Sequence, residues 1–184
     1  MLIDRVVDAI KFKKGVYAAV AADQAFTSNA WLIVMVVAVL NQLGTHASGA
    51  HSFFRWLISG VILGAFAIGA FALAVYLVVW LSGAMFKVDV KFEQVARALG
   101  LAYIWKLVGF LGIITVVSPI LAFMLAPIQI VAGLAGLAAD LFAVKESTNM
   151  DWTGTIVIAV IATVVSLAIL AFVAFVLGII GLII

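Results

Sequence analysis

The side chains of this sequence that could do chemistry are few, and their spacing argues against most of it. His46 and His51 are the two histidines, and there is no cysteine. Five apart in a short loop, they miss the i,i+4 spacing that sets two imidazoles on one helix face, and no carboxylate or thiol accompanies them as a further ligand. A haem, a pigment magnesium or a surface metal would be the functional readings. Two polar residues at a water boundary explain them without any ligand, so no metal and no cofactor is expected.

Lys106 and Asp140 are the charges within reach of the apolar runs. An ionisable group inside a membrane span is by default a suspect for handling ions or substrate. Here Lys106 follows Trp105 and can snorkel to the headgroups, while Asp140 falls in the last turns of its span. The two are therefore expected at different depths. Asn29, Asn41 and Gln129 suit hydrogen bonds between helices. Intramembrane proteolysis needs a serine–histidine or paired-aspartate arrangement within the spans. No phosphate-cradling Gly-Lys-Ser/Thr loop and no zinc-protease His-Glu pair is present. No catalytic residue is assigned, and no enzyme activity is expected.

The elements that position these residues follow from composition. Of 184 residues, 68% are apolar and 10% charged, with a mean hydropathy of +1.39. A soluble domain carries about 25% charged residues. The expected fold is all-α, a polytopic transmembrane bundle forming one domain over residues 1–184, with five spans of about 20 apolar residues each. The apolar runs do not alternate, which excludes a transmembrane barrel. A net charge of +2 is too small to imply nucleic acid.

Along the chain, residues 1–24 are expected as an amphipathic cytoplasmic segment and not a signal peptide, since no apolar run precedes the lysines. Leu2, Ile3, Val6, Val7 and Ile10 share a helix face opposite Asp4, Arg5, Asp8 and Lys11. Lys11, Lys13 and Lys14 then form a basic cluster suited to marking topology or touching anionic lipid. Spans are expected at about residues 25–43, 56–82, 103–118, 119–144 and 153–184. Gly60 and Gly64 form a GxxxG pair, and Gly133 and Gly136 are further packing positions, because small residues let helix backbones approach. Pro119 suits the first turn of the fourth span and Pro127 a kink within it. A turn at Ala126-Pro127 is the competing register, but it leaves the fourth span short.

Between the second and third spans lies KVDVKFEQVARALGLAY, residues 87–103. Phe92, Val95, Ala96, Leu99 and Tyr103 share one helical face. Lys91, Glu93, Gln94 and Arg97 fall largely on the other, with Glu93 and Arg97 spaced for an ion pair. This stretch is expected to lie in the bilayer surface, with Lys87, Lys91, Arg97, Trp105 and Lys106 at the lipid interface. With five spans, Arg5, Lys11, Lys13, Lys14, Lys87, Lys91, Arg97 and Lys145 gather on one side and Arg55 on the other. The positive-inside rule then puts the N-terminus in the cytoplasm and the C-terminus outside.

Three stretches carry a resemblance: FKKGVYAAVAADQAFTSNAWLIVMV, FEQVARALGLAYIWKL and LFAVKESTNMDWTGTIVIAVIATVV. Together they are similar to the Yip (Ypt/Rab-interacting) membrane proteins, in particular the short bacterial-type members, and they organise about the whole chain. The resemblance implies five spans with a cytoplasmic N-terminus. It implies a non-enzymatic organiser or scaffold of a bacterial inner membrane, whose partners are lipids and other membrane proteins or itself. Trp105 stands where members often have proline. The acidic-Leu-Tyr-Gly-Pro type motif and the long cytosolic N-terminal region of the eukaryotic members are absent, so Rab binding does not carry over. An accessory subunit of a larger, energy-transducing complex and a small-solute transporter or channel are the alternatives.

Overall fold

The computed structural model describes residues 2–47, 52–116 and 119–183. These are almost entirely helical, with no strand among them, and five helical stretches are long and apolar enough to cross a membrane. The helices are α1 (Leu2–Ile10), α2 (Val16–Ala22), α3 (Thr27–Thr45), α4 (Phe53–Phe86), α5 (Phe92–Ala102), α6 (Pro119–Thr148) and α7 (Trp152–Ile183). His51 lies outside the described residues, as does Ser118 of the expected Ser118-Pro119 turn, and Pro119 opens α6. Pro127 stands inside α6.

The long helices carry apolar residues all round, as lipid-facing spans do. Phe66, Trp80, Phe123, Leu134 and Leu167 are all exposed on the isolated chain. The core sits towards the end of the bundle that carries α1 and α2, where Val16, Tyr17, Val20, Val34, Val75, Val95, Leu101, Ala139 and Ile158 meet. Gly60 of α4 backs onto Leu43 and Gly64 onto Val39, so α3 and α4 approach closely. At the far end the Trp56 indole N–H donates to the Leu43 carbonyl at 2.9 Å.

The central polar stretch does form its helix, α5, but it does not lie flat on a surface. Every residue from Val95 to Tyr103 is buried, enclosed by α2, α3, α4 and α6. The chain then continues as a 3-10 helix from Tyr103 to Val116. Successive glycines track along α3: Gly100 faces Ala30, Gly109 faces Asn41 and Gly112 faces Gly44. Contacts advancing together on both helices mean that α5 and the 3-10 stretch run alongside α3, in the same direction. The third crossing therefore begins near Phe92 rather than at residue 103. A 3-10 helix rises about 2.0 Å per residue, against about 1.5 Å for an α-helix. Its 14 residues cover about 28 Å, near the thickness of a hydrocarbon layer.

Candidate functional site in the membrane-spanning bundle

Two polar assemblies stand out, one at the N-terminal end of the bundle and one within it. At the end, α2 is held from both sides. Its N-terminal amides point at Glu146 of α6: the carboxylate accepts from the backbone N–H of Gly15 and Tyr17 at 3.0 Å each and of Ala18 at 3.1 Å. A carboxylate there satisfies orphan donors and opposes the helix dipole. Gly15, at φ +79°, supplies the left-handed turn that aims these amides.

At the other end of α2, Arg97 donates from Nε to the Ala21 carbonyl at 3.0 Å and from Nη2 to the same oxygen. Its Nη1 reaches Thr27 Oγ1 at 3.1 Å. Arg97 was expected on the charged face of an interfacial helix, spaced to pair with Glu93. It is instead buried, and no Arg97–Glu93 ion pair forms among the described residues. The reason is tertiary. The C-terminal carbonyls of α2 offer a buried guanidinium better partners than an exposed carboxylate does. Gln94 adds a bond from Nε2 to the Ser147 carbonyl at 2.7 Å, which ties α5 to α6.

Of the other predicted interfacial residues, Lys11, Lys14, Lys87 and Lys91 are exposed, and Lys13 pairs with Asp8 at 2.9 Å. Trp105 is half-buried. Its ring stacks on Phe12 with centroids 5.5 Å apart, it lies against Gly136, and its buried Nε1 has no partner. It thus packs between the N-terminal segment and α6. At Gly133 an added Cβ would meet nothing within 4 Å. His46 Nδ1 lies 3.1 Å from both Thr45 Oγ1 and the Gln42 carbonyl, and no group of three His, Cys, Asp or Glu gathers among the described residues.

The second assembly is a cavity of about 460 Å³ between α4, the third crossing, α6 and α7. Among the described residues α7 packs on both α4 and α6, while no extensive α4–α6 contact closes the space between them. Most of its wall is apolar, from Phe66, Phe71, Leu99 and Leu167 among others, and its polar groups are Gln42, Tyr103, Lys106, Asp140, Thr163 and Ser166. Lys106 and Asp140, expected at different depths, thus share one chamber. The 3-10 winding, which begins at Tyr103, carries Lys106 there. Its ammonium lies 4.2 Å from the Tyr103 ring centroid, at the chamber wall. Phe71 and Tyr103, edge to face at 5.4 Å, line one side, and Trp31 meets Phe71 edge to face at 5.5 Å.

The Tyr17 ring is buried in the core and its hydroxyl has no partner among the described residues. Burial, then the nearby charges of Asp140 and Glu146, holds that hydroxyl well above the ordinary phenol range, so it stays protonated. Sequence reasoning did not find Tyr17, Ser166 or the glycine seam of Gly100, Gly109 and Gly112. The seam alone left a signal, small residues recurring along the third crossing.

The chain matches no family model, no curated protein and no solved structure.

Proposed function

We propose that this chain is a non-enzymatic organiser of a bacterial cytoplasmic membrane, acting through lipid and helix–helix contacts, with its N-terminus in the cytoplasm and its C-terminus outside. The observation that carries this reading is the outer flank of α1. Leu2, Val6 and Ala9 turn inward, while Ile3 (70% exposed), Val7 and Ile10 stay uncovered. Ile10 leads directly into an apolar groove of about 530 Å³ formed with Trp105, Val108, Pro127, Ile128 and Val131. A continuous greasy strip from a surface helix to the lipid-facing sides of two spans, with Lys11 and Lys14 exposed beside it, suits a protein that grips the headgroup boundary. The resemblance to short Yip-type proteins points the same way.

A photo-crosslinker at Ile3 or Val131 in living cells tests this. It should recover lipid together with integral membrane neighbours, whereas the same group at buried Val95 should recover neither. Failure of the Ile3 probe to label lipid would refute the organiser reading. A single neighbour recovered in fixed stoichiometry would replace it with an accessory subunit. The chamber around Lys106 favours a second reading, a small-solute transporter, since transporter sites form near mid-membrane beside irregular helices. A solute flux in reconstituted vesicles, abolished by Lys106→Met, would establish that reading.

A further inference from the structure

The chamber holds a lysine and an aspartate that do not satisfy each other. Lys106 and Asp140 line the same cavity and are close enough to interact electrostatically, yet they form neither a hydrogen bond nor a direct ion pair. Inside a membrane this is costly, because neither lipid tails nor the Phe66, Phe71 and Leu167 side chains can solvate a charge. Ser166 presents the same problem independently. It is 9% exposed, lines the chamber, and its hydroxyl has no partner in the protein. Most hydroxyls in helices donate to a carbonyl of their own helix, as Ser82 does to Val78 at 2.7 Å and Thr155 to Asp151 at 2.7 Å. Ser166 is left free to bond something in the cavity.

We infer that this chamber binds a small zwitterion with an apolar body, its anionic end on Lys106, its ammonium on Asp140 and a polar atom on Ser166. The volume of about 460 Å³ lies within the range of small-molecule sites, and a mostly apolar wall with a few converging polar groups is their usual make-up. A ligand bearing both charges neutralises both walls at once, and one bearing a single charge leaves the other wall unpaired. The Tyr103 ring, already beneath the Lys106 ammonium, holds that side chain towards the ligand.

The required chemistry, an ammonium and an anion on an apolar body, has two sources. A free hydrophobic amino acid would enter from water, and a phosphatidylethanolamine headgroup would enter sideways between α4 and α6. The full chain in nanodiscs of phosphatidylglycerol should be titrated with leucine, leucine amide (cation only) and N-acetyl-leucine (anion only). The same chain in discs containing phosphatidylethanolamine should be examined by native mass spectrometry for retained lipid.

The expected result is that one zwitterion binds, leucine or phosphatidylethanolamine, which names the source. For the leucine arm, each single-charge derivative should bind at least about tenfold more weakly, a loss of about 1.4 kcal/mol. For the lipid arm, phosphatidylglycerol should not be retained in place of phosphatidylethanolamine. Lys106→Met and Asp140→Asn should each weaken binding by a similar factor, and Ser166→Ala by less. Comparing derivatives on the unmodified chain keeps the test valid if a variant does not fold. Equal binding of charged and half-charged forms, or no binding of either zwitterion, overturns the inference. It would leave Lys106 and Asp140 as structural groups without touching the crosslinking test of the organiser reading.

Discussion

Glu146 shows how much one side chain decides here. Its carboxylate takes three backbone N–H groups from the start of α2, and no other group in the described residues replaces it. Charge-assisted bonds of this kind contribute about 1.5–3 kcal/mol each when intact, and far from additively. Glu146→Ala should therefore loosen α2 by about 2 kcal/mol. It should also expose the Gly15, Tyr17 and Ala18 amides to hydrogen exchange while the amides of α3 stay protected. If those three amides remain as slow as in the parent chain, the clamp has been misread. Tyr17 profits from the same clamp, since its ring is wedged into the core with an unpartnered hydroxyl held protonated. Arg97 completes the arrangement from the opposite end of α2. The sequence pattern put Arg97 on a polar face because it counts apolar neighbours along one helix. It cannot count the carbonyls of another helix that arrive through tertiary folding.

Among elements, the third crossing is the most informative. Its approach to α3 depends on hydrogen in place of a side chain at Gly100, Gly109 and Gly112, where an added Cβ would run into Ala30, Asn41 and Gly44. Gly109→Val should separate the two helices and destabilise the bundle by about 1–3 kcal/mol or prevent folding. Gly133→Leu, on an uncovered side of α6, should change stability by less than about 0.5 kcal/mol. Unfolding in mild detergent compares the two, and equal losses would refute the seam. The helical character of residues 92–102 was legible from periodicity. Its direction was not, because an apolar stripe opposite a polar one suits a helix lying on a membrane and equally a helix entering a bundle through its polar end.

For the whole molecule, an odd number of crossings has a plain consequence. Tags at the two termini should be protected on opposite sides of a sealed vesicle, with Lys11 and Lys91 accessible from the N-terminal side. Finding both tags in one compartment would remove a crossing and with it the proposed orientation. The chamber is lined by α4, the third crossing, α6 and α7, while the apolar groove beside α1 is formed with the third crossing and α6.

Composition and run length were enough to settle an all-helical chain with five apolar stretches of crossing length, because burying backbone polar groups in hydrocarbon leaves a helix as the simplest solution for runs this long. The residues with chemical potential, Lys106 and Asp140 above all, were equally visible as charges in apolar surroundings. That they meet was decided by the tertiary structure. Depth in a membrane depends on rise per residue, and a switch from α to 3-10 winding at Tyr103, together with a cavity left between helices far apart in sequence, carries no mark in a list of hydrophobic residues.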